Sequence, residues 1–287
     1  MSGDGRRALI ISTLAGGLGN QMFQYAAGRA LALRHGTELV LDLGWLTPRS
    51  RFVYELGVFD LDVKLVWTYR HMRRARLRER LRLAPPVLLQ DWKRDGFAFH
   101  PGVLALPADA RLAGYWQSER YFADHAQTIR ADFAFAEPLD ARNEELADAI
   151  GASAAVAVHV RRGDYVTDPG ARDFLGILPL DYYASAAAFV RRRVRSPHFF
   201  VFSDDPGWCR GHLRLGGPTT FVDHNAGRGY LDLRLMTLCR HHVIANSSFS
   251  WWGAWLAEPE GQRVVAPRRW GAQGEAGAVI PEWWHRL

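Results

Sequence analysis

The chain has 287 residues, 48% of them hydrophobic and 23% charged, which excludes collagen, coiled coils and intrinsic disorder and predicts a soluble globular protein. At roughly 150 residues per domain, the length predicts two domains. The net charge of +6, carried almost entirely by arginine, is compatible with nucleic acid, a membrane surface or an acidic small ligand as partner.

The first half of the chain begins with a β-loop-α-β pattern. A β-branched run at 7–13 leads into the glycine-rich turn AGGLGNQ at 15–21. Apolar residues at helical spacing follow from 23 to 30, and a second strand is predicted at 38–43. This order of elements is typical of a parallel sheet.

An arginine-rich stretch follows at 69–83. It contains seven arginines against one acid, Glu79, and two prolines end it. One interpretation is a solvated helix face. The alternative is that residues 70–82 make an electrostatic contact with an anionic membrane or polymer.

The second half alternates strands and helices regularly. Because the pattern changes at Gly151, we predict domains at 1–150 and 151–287. The predicted strands are 154–160, 198–203, 219–222, 242–245 and 263–266, and the predicted helices are 182–194, 230–240 and 248–258. This alternation predicts a doubly wound, Rossmann-like α/β domain, in which ligands bind beyond the carboxyl ends of the strands.

The loop after the strand at 154–160 reads HVRRGDY, residues 159–165. The guanidinium groups of Arg161 and Arg162 can grip a diphosphate and offset the charge that develops on it as it leaves. The alternative is an arginine pair that is merely exposed on a loop.

An acid pair, Asp204 and Asp205, follows the strand at 198–203. Such acids can bond a ribose hydroxyl or a base, hold a metal, or cap a helix. We predict no metal, because no third ligand is spaced to complete an octahedral shell and the arginines can supply the positive charge.

The last strand pattern leads into NSSFSWWGAWLAE at 246–258. Its Asn and Ser residues are good N-caps, and the amides of a helix N-terminus suit a phosphate. Capping alone would also explain them. The helix is apolar on nearly all sides, so we expect its tryptophans in the core.

Taken jointly, five motifs resemble the α-1,2-fucosyltransferases of glycosyltransferase family 11, of the bacterial type. They are GGLGNQMFQYA at 16–26, GYWQSERYF at 114–122, HVRRGDY at 159–165, FSDD at 202–205 and LMTLCRHHVIANSSFSWWGAWL at 235–256. The resemblance implies a GT-B-type α/β fold of two facing Rossmann-like domains, with the acceptor on the N-terminal domain and the donor on the C-terminal one.

The resemblance also implies an activity. L-fucose would pass from GDP-β-L-fucose to the 2-hydroxyl of a β-galactoside glycan, with inversion and without a metal or any cofactor beyond the donor. The alternatives are a GT-B glycosyltransferase with another sugar nucleotide and a non-catalytic glycan-binding relative.

Residue roles follow from the same resemblance. It implies that Arg161 contacts the β-phosphate, that Arg162 supports the loop and that His159 lies near the guanosine. Asp232 matches a position that binds the guanine edge, and Asn20 one that reaches across the cleft toward donor and reaction centre.

Further donor contacts match Ser248 and the backbone of Phe249, with Asn246 and Ser247 adjacent, and the pair Asp204 and Asp205 on the nucleotide side. For the acceptor proton, Asp164 is our candidate base. Alternatively, Asp164 holds the arginines in place and GDP departs ahead of deprotonation.

Two cysteines, Cys209 and Cys239, are too few for a disulfide framework, and no apolar stretch reaches the length of a membrane span. We therefore expect a cytoplasmic protein, with peripheral attachment at the inner face of the membrane through residues 70–82 as the alternative. The expected partners are GDP-fucose and an oligosaccharide or lipid-linked glycan acceptor. Nucleic acid is not expected, because no DNA- or RNA-reading motif is present.

Overall fold

The computed structural model describes residues 8–48, 50–67, 87–90, 96–271, 274–275 and 277–287. The chain divides into two compact units, Met1–Ala136 and Glu137–Leu287. This division precedes the predicted one at residue 150, because the helix Ala141–Gly151 packs against the helix Gly229–Leu238 of the second unit. The arginine-rich stretch at 69–83 lies outside the described residues, so both interpretations of it stay predictions.

The first unit is built on a parallel sheet. Its strands are β1 (Leu9–Thr13), β2 (Glu38–Asp42), β3 (Lys64–Val66), β4 (Val87–Leu89) and β5 (Ala110–Ala113), in the order β3-β2-β1-β5-β4. Its helices are α1 (Leu18–His35) and α2 (Ala126–Asp132), with 3-10 turns at Leu56–Val58, Pro101–Ala105, Glu119–Tyr121 and Ala123–His125. The predicted β-loop-α-β pattern is thus confirmed as β1-α1-β2.

Helix α1 lies very close to the sheet at Gly28. A Cβ atom there would stand 2.8 Å from Leu39 Cδ1 and 3.0 Å from Ser12 Cβ, on the two strands that α1 connects. The missing side chain therefore sets the distance between this helix and the sheet.

The second unit has a six-stranded sheet and a small hairpin. The strands of the sheet are β6 (Ala154–Val160), β7 (Pro197–Ser203), β8 (Thr219–Val222), β9 (His241–Val243), β10 (Val264–Ala266) and β13 (His285–Arg286); β11 (Arg269–Gly271) and β12 (Gly274–Glu275) form the hairpin. The sheet order is β13-β10-β9-β6-β7-β8. Because the chain adds strands first on one side of β6 and then on the other, the carboxyl end of β6 is the topological switch point, where ligands bind in such sheets.

Helices cover both faces of this sheet. They are α3 (Ala141–Gly151), α4 (Gly163–Thr167), α5 (Pro169–Leu175), α6 (Leu180–Arg191), α7 (Pro206–His212), α8 (Gly229–Leu238) and α9 (Ser248–Ala257). Alternate residues of β6 belong to two separate cores: Val156 and Val158 pack with α6 and α7, whereas Ala155 and Ala157 pack with α3 and α8. This arrangement confirms the predicted α/β class.

Helix α9 is part of the interior, as its composition predicts. Trp251, Trp252 and Trp255 are almost completely buried and contact one another, and Trp251 Nε1 donates to the carbonyl of Val279 at 2.8 Å. Within the described ranges, no helix has both the length and the apolar character needed to cross a membrane.

We predict that Gly28→Ala lowers the free energy of unfolding by about 1–3 kcal/mol, because the new methyl group must displace Leu39 or Ser12. This steric cost exceeds the gain in stability of up to about 1 kcal/mol that replacing glycine with alanine brings within a helix. Urea unfolding measures the change. Gly151→Ala is the matched control, since a Cβ on this helical glycine has no atom within 4 Å; equal stability changes in the two variants would contradict the close approach.

Candidate functional site

The two arginines of the HVRRGDY loop lie at the carboxyl end of β6, where the sheet topology switches. Arg161 Nη1 is 2.9 Å from Asp204 Oδ2, and the backbone amide of Arg162 donates to Asp204 Oδ1 at 2.8 Å. A Cβ at Gly163 would lie 2.6 Å from Asp204 Oδ2. One carboxylate at the end of β7 thus holds the start of the whole loop, and any side chain at Gly163 would force this carboxylate to shift.

The side chain of Arg162 is fixed by two further contacts. Its Nε is 3.3 Å from Asp205 Oδ2, and its guanidinium carbon lies 3.7 Å from the ring centroid of Trp208. Asp205 Oδ1 also accepts from the Trp208 amide at 3.1 Å and so caps α7. The sequence motifs did not single out Trp208, which lies in the first turn of α7. Its spacing of three residues from Asp205, the N-cap, is the signal in the sequence that could have identified it.

Both carboxylates of the acid pair lie against the two arginines. The place of Asp204 and Asp205 on the nucleotide side, which the resemblance implies, stays a prediction. Asp164 belongs to the HVRRGDY motif and lies in α4, which begins at Gly163. Its side chain is not among those described, so its role as base stays a prediction.

The N-terminus of α9 is the second element at this edge of the sheet. Ser247 is the N-cap with extended backbone angles, and its side chain makes no capping hydrogen bond. Ser248 and Phe249, in the first turn, are partly exposed. Because the first amides of a helix have no intrahelical acceptor, this turn is suited to an anion.

Asn246 is buried, and its predicted contact with the donor stays a prediction. Its Nδ2 donates to the carbonyls of Leu175 at 2.7 Å and Gly176 at 3.3 Å. These bonds tie the loop before α9 to the end of α5, which makes Asn246 an anchor of the loop in this structure.

His159 and Phe249 form an aromatic contact beside the arginines. Their ring centroids are 5.4 Å apart, and the Phe249 ring lies 3.9 Å from the place of a Cβ at Gly229, the first residue of α8. Burial, together with the charge of Arg161, lowers the pKa of His159 to about 3. His159 is therefore neutral at physiological pH.

Asp232 lies one turn into α8. Its Oδ1 accepts from Asn225 Nδ2 at 2.8 Å, and burial raises its pKa to about 6 against the lowering effect of this hydrogen bond. Asn225 belongs to none of the sequence motifs, because only the fold brings it to its partners Asp232 and Asn143.

In the first unit, two motifs meet at the carboxyl end of β1. Asn20 Oδ1 accepts from Gln117 Nε2 at 2.7 Å, which joins the GGLGN turn to the GYWQ segment. Gly16 has a left-handed φ of +75°, and a Cβ there would lie 2.5 Å from Asn20 Nδ2. The amide of Asn20 is thus oriented by both neighbours; its reach toward a donor stays a prediction.

A carboxylate that the sequence did not indicate lies beside this turn. Glu55 accepts a hydrogen bond from the Leu18 amide at the start of α1, and burial raises its pKa. Gln21 fixes the segment that contains Glu55. Its Oε1 accepts from the Glu55 amide at 2.9 Å, and its Nε2 donates to the Val53 carbonyl at 2.7 Å. Glu55 supplies the acidic cap that the first turn of α1 lacks.

No group of three or more His, Cys, Asp or Glu side chains suited to a metal ion occurs in the part of the chain that the structure describes. At the arginine loop, the positive charge comes from guanidinium groups.

Comparisons with known proteins identify the family of this chain. The profile described as "Glycosyl transferase family 11" matches residues 90–285. The chain is 32% identical to "Alpha-1,2-colitosyltransferase" of Escherichia coli, covering 98% of this chain and 99% of the relative. It is 27% identical to "Galactoside alpha-(1,2)-fucosyltransferase 2" of Sus scrofa, covering 85% of this chain and 68% of that protein.

Among solved structures, the chain is similar to NodZ alpha-1,6-fucosyltransferase from Bradyrhizobium soaked with GDP-fucose. The TM-score is 0.53 at 16% identity, covering 88% of this chain and 93% of that one. This likeness confirms the predicted GT-B-type fold class. Because the family profile matches more than half of the sequence and the colitosyltransferase aligns over nearly all of it, the chain belongs to glycosyl transferase family 11 and is a glycosyltransferase.

Proposed function

We propose that the chain is an α-1,2-fucosyltransferase, which moves L-fucose from GDP-β-L-fucose to the 2-hydroxyl of a β-galactoside glycan with inversion. The observation that carries this proposal is the pair Arg161 and Arg162, held by Asp204, Asp205 and Trp208 at the carboxyl end of β6. The acceptor is an oligosaccharide or a lipid-linked glycan.

In this reaction the bond between fucose C1 and a β-phosphate oxygen breaks, and GDP leaves with the electron pair. The acceptor oxygen bonds to C1 from the opposite face and loses its proton. The arginines offset the charge that grows on the diphosphate, and they do so efficiently because their partners already fix them. The proposal needs no metal and no cofactor beyond the donor.

The other groups of the second unit fit the remaining parts of GDP. The uncapped first turn of α9 suits a phosphate. The Phe249 ring, the neutral His159 and the carboxylate of Asp232 offer an apolar surface and an acceptor for a guanine base. Asn20, oriented by Gln117, is the proposed contact from the first unit.

The relatives support the linkage more strongly than the sugar. Both the Escherichia coli and the Sus scrofa names state an α-1,2 linkage, whereas one names colitose and the other fucose-transfer to a galactoside. Colitose is fucose without its 3-hydroxyl. A GDP-colitose donor is therefore the second candidate, favoured by the higher identity of the colitosyltransferase.

We expect Arg161→Ala to lower kcat with GDP-fucose by about 10²–10³-fold, as the loss of a transition-state charge partner does in other enzymes. The protein stays folded, because Arg161 is partly exposed and Asp204 keeps its bond to the Arg162 amide. Steady-state kinetics and thermal unfolding measure the two effects.

Arg34→Ala is the matched control for this variant. Arg34 is as exposed as Arg161 and pairs with Asp124 at 3.1 Å, but it lies at the opposite end of α1 from the GGLGN turn. Wild-type kcat in Arg161→Ala, or an equal loss in Arg34→Ala, would remove Arg161 from the site.

A donor and acceptor panel tests the sugar and the linkage. We expect GDP-fucose to be transferred to β-galactosides with a higher kcat/KM than GDP-colitose, and the product to show an α-1,2 linkage by NMR. GDP raises the unfolding temperature, whereas UDP at equal concentration does not, because only a ligand of the folded state stabilises it. Exclusive use of GDP-colitose would replace the fucosyl donor and keep the α-1,2 transferase.

Asp164 remains the proposed base, from its place two residues after Arg162. Asp164→Asn is expected to lower kcat about 100-fold and to leave GDP affinity unchanged. Glu38→Gln is the comparison, since Glu38 lies at the amino end of β2 in an exposed pair with Lys64. An unchanged kcat in Asp164→Asn would instead favour departure of GDP ahead of deprotonation.

We also propose that the protein is cytoplasmic. The alternative is peripheral attachment to the inner face of the membrane through residues 70–82.

A further inference from the structure

We propose that the buried pair Asn143 and Asn225 holds the Asp232 carboxylate so that it accepts from the adjacent N–H groups of guanine, and that this pair thereby sets the base selectivity of the donor site. The inference rests on the proposed function in one respect, that the donor is a guanosine diphosphate sugar.

The two asparagines form a closed amide pair inside the second unit. Asn143 Nδ2 donates to Asn225 Oδ1 at 3.0 Å, and Asn225 Nδ2 donates to Asn143 Oδ1 at 2.9 Å. Both side chains are buried, with 0% and 4% exposure. Burying such polar groups costs free energy unless they are fully hydrogen-bonded, so the mutual hydrogen bonds are what allow this pair to lie in the interior.

The pair connects helix α3 to helix α8. Asn143 Nδ2 also donates to Asp140 Oδ1 at 2.7 Å, at the N-cap of α3. The second hydrogen of Asn225 Nδ2 goes to Asp232 Oδ1 at 2.8 Å. Since ionised carboxylates only accept, the nitrogens of both amides must face Asp140 and Asp232, and neither amide can be turned over without losing these bonds.

The arrangement leaves part of the Asp232 carboxylate for a ligand. Oδ1 retains a second lone pair, and in the described part of the chain no side chain donates to Oδ2. Guanine presents two neighbouring donors, N1–H and the 2-amino group, which match the two oxygens of one carboxylate. Adenine has an acceptor at N1 and uracil a single N–H on this edge, so both fit less well.

Charged side chains at the start of α3 and in the loop before α8 pair with one another. Arg228 Nη1 is 2.8 Å from Asp140 Oδ2, and Arg142 Nη2 is 3.7 Å from Asp223 Oδ1. His224 Nε2 lies 3.1 Å from Asn143 Oδ1, and α9, which also packs on α8, carries no charged residue. Burial therefore dominates and raises the pKa of Asp232 to about 6, with the Asn225 bond opposing it.

The affinity for GDP depends on pH through the charge of Asp232. Guanine donors favour the ionised carboxylate, so GDP affinity is constant well above pH 6 and falls as the pH drops through the pKa of Asp232. Below that pH, binding expels a proton, and the dissociation constant rises up to about tenfold per pH unit. Removing the Asn225 donor raises the pKa of Asp232 and moves the whole transition to higher pH.

Calorimetric titration of the full chain tests this between about pH 5 and 8. The probes are GDP, IDP, which lacks the 2-amino group, and UDP, each in two buffers of different ionisation enthalpy. In the wild type we expect proton release near pH 6 and a GDP preference over IDP of about tenfold or more, because a charged acceptor loses one donor.

Asn225→Ala is expected to shift the proton-release midpoint upward and to reduce the GDP preference over IDP by at least about threefold. Asp232→Asn reduces the proton release with GDP to the part that comes from the terminal phosphate, whose second pKa is also about 6 and which UDP carries as well. Arg228→Ala is the matched control: it breaks another bond between the same loop and α3 but leaves Asn225 and Asp232 untouched, so both readouts stay within about twofold of wild type.

The proposal is overturned if Asn225→Ala keeps the wild-type midpoint and selectivity, or if Arg228→Ala changes them equally. If Asn225→Ala does not fold, the wild type decides, because absence of proton release near pH 6 contradicts the proposal without any variant. GDP binding with these signatures but without fucosyl transfer would refute the proposed function and leave this inference standing.

Discussion

Two adjacent guanidinium groups repel each other, and in the arginine loop of the second unit each of them is paired with its own carboxylate. The register of the sheet supplies them: Val160 of β6 pairs with Ser203 of β7, so the next two residues of each strand stand side by side. Arg161 and Arg162 thereby meet Asp204 and Asp205. A slip of one residue would separate the pairs and turn the side chains to the other face.

The strands also show which parts of the fold can be predicted from the sequence. Strands β6 and β7 have seven residues each and helices on both sides, so their long apolar runs are visible without a structure. Strands β3, β4 and β5 have only three or four residues and were not predicted. Strands β8, β9 and β10 are equally short, but they were predicted because they alternate with clear helix patterns, and the sequence around β3, β4 and β5 shows no such alternation.

The site shows the same division. Arg161, Arg162 and Asp232 could be proposed from the sequence because local motifs or a nearby match point to them, whereas Gln117 and Asn225 contact partners 97 and 82 residues away. Asp204 and Asp205 were correctly placed at the end of a strand, but the sequence could not tell a carboxylate that binds a ligand from one that fixes an arginine. That difference lies in side-chain geometry, which only packing determines.

Gly163 makes the arginine loop a unit that is transferable only as a whole. Because its missing side chain lets Asp204 approach the backbone of the loop, the arginine pair, the glycine and the neighbouring strand end depend on each other sterically. A designer who grafts this anion-binding loop onto another parallel sheet must therefore transplant two strands in register, with the indole of Trp208 behind them, rather than a seven-residue motif.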